Sequence, residues 1–154
     1  MDQTSLLLRR VNDETLIVNK LLDTLAQEEQ LLVSDGVDQL LELAKSKSQV
    51  VGDFAIASQE RYALLTSLGY APEDRSMQLL LEKHGDRQLL QAWENFLALV
   101  SAAKEKNRIN GILLHKLSSR NQLALDVIQG RKATTLYGPN GQKNSQSSFR
   151  TTVS

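Results

Sequence analysis

The sequence predicts an all-α protein: an elongated antiparallel helical bundle or coiled coil of three long helices plus one short helix, with a flexible C-terminal tail. Three observations carry this. Apolar residues recur at alternating steps of three and four over long stretches, which is the spacing of one face of a helix. Leucine occurs 28 times in 154 residues while aromatics make up only 5%, a balance that suits helical seams. The periodicity breaks at Ser34-Asp35-Gly36, between Gly69 and Pro72, at Gly85-Asp86 and at Gly130, where turn chemistry is concentrated.

The first helix is expected from a cap at Thr4 or Ser5 to about Val33. Leu8, Val11, Thr15, Val18, Leu22, Leu25, Glu29 and Leu32 step along one face. Charges such as Arg9, Arg10, Asp13, Glu14, Lys20 and Glu28 read as solvated sides. Ser34 or Asp35 supplies a cap for the next helix, and Gly36 relieves the turn. So short a connection favours an antiparallel hairpin. The second helix runs from about Val37 to Leu68, with Leu40, Ala44, Val51, Phe54, Ala55, Tyr62, Leu65 and Leu68 on its face. Gly52 lies inside it, at a cost of ~1 kcal/mol against alanine, and suits a close helix approach. Gly69 fits a helix-ending position and Pro72 forbids continuation. Ser76 is the expected cap of a short helix, Met77 to about His84, that Gly85 ends. Leu79, Leu80 and Leu81 are too apolar for a free loop, so this segment should cover one end of the bundle.

The rest is organised around 87–129, which holds no proline and one glycine, Gly111. Asp86 stands at its N-cap position and Gly130 at its C-terminal αL position. At ~1.5 Å per residue this helix runs on the order of 60 Å. Its seam carries Leu89, Trp93, Phe96, Val100, Ala103, Leu114, Leu117, Ala124 and Ile128, interrupted by Asn107, Asn110, Gly111 and Asn121. Polar residues on a seam cost stability and fix register or partner. They mark either a solvent-exposed stretch or a mixed surface offered to another protein. The expected core is Leu25, Leu40, Phe54, Leu65, Trp93, Phe96 and Val100.

Residues 1–130 are expected to form the bundle domain and 131–154 a flexible basic tail. From Gly130 onward the chain carries Arg131, Lys132, Lys143 and Arg150, no acidic residue, and mostly small polar side chains, which favours mobility. The whole chain has zero formal net charge, which argues against a dedicated nucleic-acid binder. It has no cysteine, so disulfides, thiolate metal sites and cysteine nucleophiles drop out. The N-terminus lacks a signal-peptide pattern and no apolar run approaches the ~18 residues of a membrane span. A cytoplasmic location is the expectation.

Little chemistry survives inspection. His84 and His115 are far apart and lack metal-helix spacing. No phosphate-binding glycine motif occurs; Gly138-Pro139-Asn140-Gly141-Gln142-Lys143 has the wrong spacing and no preceding strand. Adjacent carboxylates such as Glu28 and Glu29 point to different helix faces. Ser118 and Ser119 have no positioned base. The expectation is a non-enzyme with no catalytic residues, no cofactor, no bound metal and no small-molecule substrate.

A binding surface is the sharper expectation. Leu114, Leu117, Leu125 and Ile128 stand at helix-in-groove spacing, with Asn110 and Asn121 as hydrogen-bonding residues beside them. The opposing reading makes these leucines ordinary bundle core. In the tail, Leu136-Tyr137-Gly138-Pro139-Asn140-Gly141 is the one compact motif, a turn that presents Tyr137.

The chain resembles the flagellar export chaperones of the FlgN family. The resemblance rests on Glu28, Leu31, Leu32, Asp35, Leu40 and Leu43 at the first junction, and on the run Gln59-Glu60-Arg61-Tyr62-Ala63-Leu64-Leu65-Thr66-Ser67-Leu68-Gly69. It rests most on Asn107-Arg108-Ile109-Asn110-Gly111 followed by Leu136-Tyr137-Gly138-Pro139-Asn140-Gly141. It covers about residues 5–142. It implies a cytoplasmic type III secretion chaperone that binds hook–filament junction (hook-associated) proteins, keeps their terminal helices unpolymerised and delivers them to the cytoplasmic domain of the export gate. It further implies that Leu136 and Tyr137 dock on that gate while the long helix holds cargo. The alternative is a structural coiled-coil or adaptor protein that dimerises along the long C-terminal helix. An anionic-surface binder using the basic tail is weaker still, because dispersed charges with few stacking rings make a poor site.

Overall fold

A computed structural model describes residues 2–34 and 36–128 of the chain, without the side chains of Ala124, Leu125, Asp126 and Ile128. Four α-helices follow one another: α1 (Gln3–Val33), α2 (Val37–Ser67), α3 (Arg75–His84) and α4 (Arg87–Ile128). Among the described residues there is no strand. The chain falls into two compact units, Met1–Leu113 and Leu114–Ser154. Of the second, the described residues are the last part of α4. The expected domain boundary at residue 130, and the helix end at Gly130, lie outside the described residues.

In the first unit, cross-helix contacts fix the topology. Arg10 pairs with Glu60, Ser58 with Glu14, and Lys47 with Glu28, so α1 and α2 run antiparallel. Arg61 lies over Trp93, Phe54 stacks on Phe96, and Lys47 reaches Asn107, so α2 and α4 are antiparallel too. Asn110 meets Leu25 and Glu28, and Lys106 meets Glu29; α1 and α4, each antiparallel to α2, are parallel to one another. The core draws Leu7, Val11, Val18 and Leu25 from α1, Leu65 from α2, Met77 and Leu80 from α3, and Leu89, Trp93, Phe96 and Ala103 from α4. Because α3 joins the end of α2 to the start of α4, its buried face closes that end of the bundle.

The termini differ from expectation in instructive ways. α1 is capped by Asp2, whose carboxylate accepts hydrogen bonds from the Ser5 backbone N–H at 3.0 Å and from the Thr4 and Ser5 hydroxyls. Thr4 and Ser5 lie inside the first turn and feed the cap. Ser34 closes α1, donating from its hydroxyl to the Gln30 carbonyl at 2.7 Å, and α2 starts at a Gly36 N-cap. A Cβ at Gly36 would lie 2.8 Å from both Leu31 Cδ2 and Gln39 Oε1, the ends of two flexible side chains that would have to shift to admit it. Ser76 is buried within α3 and donates to the Ala71 carbonyl at 2.6 Å, and the residue before that helix is Asp74. Asp86 does cap α4, accepting from Leu89 N–H at 2.9 Å. Gly69 and Gly85 adopt φ of +89° and +62°, the left-handed conformation that ends α2 and α3 at little cost only for glycine.

Of the expected core, Leu25, Leu65, Trp93 and Phe96 are buried, Phe54 and Val100 are half-buried against them, and Leu40 stands outside the cluster. Gly52 brings no helix close: nothing lies within 4 Å of a Cβ placed there.

Candidate functional site

α4 was expected to offer a mixed polar and apolar face, and the structure divides that face in two. Asn110 belongs to the bundle. It is 2% exposed, and its Nδ2 donates to the Leu25 carbonyl and to Glu28 Oε1, both at 2.9 Å. An amide on an apolar seam must find acceptors on the neighbouring helix, because leaving it unsatisfied in the interior costs about 1–3 kcal/mol. Asn107 sits at the edge of the same cluster, accepting from Lys47 Nζ at 2.8 Å, while Lys47 also donates to Glu28 at 3.1 Å. Glu28, Lys47, Asn107 and Asn110 thus tie α1, α2 and α4 together. The sequence expects Asn110 to serve a partner; in the bundle its amide N–H group is held by α1, while its buried Oδ1 has no hydrogen-bond partner among the described residues.

Farther along α4, Ile112 and Leu114 are 44% and 51% exposed. Asn121 is exposed and Leu117 is buried. The side chains of Leu125 and Ile128, and all of Leu136 and Tyr137, lie outside the described residues. Exposed leucine and isoleucine on a regular helix leave apolar area in water that a partner helix would cover.

A second feature escaped the sequence reading. Glu14, expected on a solvated side, is 0% exposed and Arg61 is 1% exposed. Arg61 Nε and Nη2 both donate to the Glu14 carboxylate, Nη2 also donates to Asp74 Oδ1 at 3.1 Å, and Ser58 Oγ donates to Glu14 Oε1 at 2.9 Å. The guanidinium carbon lies 4.8 Å from the ring centres of both Tyr62 and Trp93. Burial pushes the Glu14 carboxyl above its ordinary range, against the hydrogen bond and charge of Arg61 and the hydroxyl of Ser58. Burial alone would lower Arg61, but Glu14 and Asp74 hold it above its usual value. With three donated hydrogen bonds on its carboxylate, Glu14 is taken as ionised, in a pair whose attraction little more than offsets its desolvation. The register carried the signal: Glu14 falls among Leu7, Val11 and Val18, and Arg61 between Ala57 and Leu65, at helical steps of three and four.

Among the described residues, no three histidine, aspartate or glutamate side chains cluster as metal ligands, and no helix is long and apolar enough to cross a membrane.

Comparison with known proteins adds a lineage to this geometry. The family described as FlgN protein matches residues 1–145. The chain is 30% identical over 127 residues to the Flagella synthesis protein FlgN of Proteus mirabilis, covering 81% of each chain. It is 26% identical over 127 residues to the protein of that name from Yersinia enterocolitica, covering 81% of this chain and 80% of the relative. Against the Salmonella typhimurium protein of that name it is 28% identical over 85 residues, and it spans only 61% of that relative's length. No solved structure matches significantly.

Proposed function

The chain belongs to the FlgN family, whose relatives are flagella synthesis proteins, and from this we propose that it is a cytoplasmic chaperone of flagellar type III export. Its cargo is the hook–filament junction proteins, which it holds unpolymerised and delivers to the export gate. The observation that carries this is the apolar side of α4 beyond the bundle's polar tie, where Leu114 is half in water. An amphipathic cargo helix covers such residues by laying its own apolar row against them. Leu114, Asn121, Leu125 and Ile128 form this surface. Leu117, buried in the free protein, is assigned to the same face, and Asn110 keeps its place inside the bundle. Leu136 and Tyr137 dock on the gate, a tyrosine supplying a large ring and a polar tip to one pocket.

The test titrates a purified junction protein against Leu114→Asp. Binding weakened by about 10-fold or more, with an unchanged helical spectrum, supports the assignment; unchanged binding refutes it. Tyr137→Ala should weaken binding to the isolated gate domain and leave cargo binding intact. A stable dimer in solution that Leu114→Asp dissociates would support the adaptor reading instead.

A further inference from the structure

α2 and α4 flank α1 and meet where the Phe54 and Phe96 rings stack with centroids 6.2 Å apart. Toward the Lys47 end lies a hollow of 190 Å³ lined by Val18, Leu25, Val51 and Ala103. Toward the Asp74 end lies another of 320 Å³, lined by Tyr62, Leu97 and Ser101 among others. Phe54, Val100 and Lys104 border both hollows, so the two make one groove along the α2–α4 seam. Its lips hold exposed apolar residues: Val51 is 47% and Leu97 42% exposed.

The charges facing the groove differ in what they already hold. Lys47 is engaged by Glu28 and Asn107. Glu14 takes Arg61 and Ser58, and Asp74 takes Arg61 and Tyr62. Lys104 is exposed and has no ion pair among the described residues. Arg61 also borders the hollow on the Asp74 side, and its buried Nη1 has no acceptor among the described residues. The groove therefore has apolar walls, one uncompensated cation at its middle and one unfilled donor at its buried end.

We propose that this groove seats an amphipathic helix of a partner protein. The helix would lay an aliphatic row into the two hollows and bring an acidic side chain against Lys104. From Phe96 to Asn107 the α4 wall is about 16 Å long at ~1.5 Å per residue, three turns of an added helix that completes a four-helix bundle. The chain's own tail is the wrong occupant: residues 130–154 hold four basic side chains and no acidic one, so it would bring like charge to Lys104. A second copy paired groove to groove brings Lys104 toward its own twin, because a two-fold interface repeats the same patch on both sides. This surface is distinct from the Leu114 region and does not rest on its assignment to cargo.

The probe is a pair of synthetic amphipathic helices, identical except for glutamate or lysine at the position flanking the centre of the leucine row. Binding to the full-length protein is followed by fluorescence anisotropy. The glutamate peptide should bind the wild type at least about 10-fold more tightly than the lysine peptide. In Lys104→Glu this preference should reverse, and Val51→Asp should abolish binding with no change in helical content. Leu114→Asp should leave peptide binding intact, so failure of the cargo surface and failure of the groove are read separately. The proposal is overturned if neither peptide binds, if Lys104→Glu leaves the preference unchanged, or if Val51→Asp binds normally. It is equally overturned if the free protein sediments as a dimer that Val51→Asp dissociates, since the occupant is then a second copy.

Discussion

Arg61→Met isolates the buried charge pair. The substitution keeps an unbranched side chain between Tyr62 and Trp93 and removes the one cation bonded to Glu14 among the described residues. Glu14 is 0% exposed and would keep a single donor, Ser58 Oγ at 2.9 Å. Breaking a buried pair from one side costs about 3–5 kcal/mol, because the remaining charge stays desolvated. Asp74 also loses a bond, but its side chain is 56% exposed and water replaces that partner. With a urea m-value of about 2 kcal/mol/M, the midpoint followed by circular dichroism should fall by roughly 2 M. The paired substitution Glu14→Leu with Arg61→Met removes both charges and should restore stability to near or above wild type, since apolar replacement of a buried pair is often neutral or stabilising by about 1–4 kcal/mol. A cost below about 1 kcal/mol for Arg61→Met, or a double variant as unstable as the single one, refutes this account of the pair.

Other substitutions test the remaining contacts. Asn110→Ala should lower unfolding free energy by about 1–2 kcal/mol through loss of one buried and one part-buried hydrogen bond, while cargo affinity measured by calorimetry stays at the wild-type value. Phe96→Ala should cost about 3–5 kcal/mol, and Phe54→Ala less, because Phe96 is 2% exposed and stacks on both Trp93 and Phe54 whereas Phe54 is half-buried; thermal melts rank the two. The hydrogen bonds from the Thr4 hydroxyl and the Ser5 backbone and side chain lower the Asp2 carboxyl from 3.8 to about 2. A value depressed on folding means the cap is fully effective above 3.8 and is lost as pH falls through about 2. Amide exchange in the first turn should therefore be faster in Asp2→Ala at neutral pH and converge with wild type below pH 2.

The helices themselves were readable because each long stretch repeats its apolar face many times, and the breaks between them carry strong turn residues. Errors arose where residue type outweighed register. Glu14 reads as solvated because it is charged, although its register sets it between Val11 and Val18; the same bias favours Thr15 and Leu8 over Glu14 and Leu7 on the face. Ser5 and Thr4 resemble caps as strongly as Asp2 does, and only the fold decides which residue stands before the first helical turn. Asn110 was read as a polar break in a surface, since a sequence does not display the α1 carbonyl and carboxylate that receive its amide. Leu40 has the right spacing for the core, but α2 buries only Ala57, Arg61 and Leu65, so the early turns of that helix keep a thinner cover. The binding residues are the least determined, because periodicity gives the face on which Leu114 lies and not whether that face is covered.

The parallel placement of α1 and α4 also bears on how the molecule is made. Asn110 finds Glu28 across 82 residues, whereas α1 and α2 are joined by a turn and need no later segment to pair. At about 5–20 residues per second of synthesis, the hairpin is complete on the order of a few seconds before the residue that locks it leaves the ribosome. Throughout that interval Val18 and Leu25 have no α4 to cover them, and Glu28 and Lys47 wait without their asparagines. Closure of the bundle thus waits on translation, and a ribosome pausing between residues 67 and 110 would hold out a sticky, unfinished hairpin.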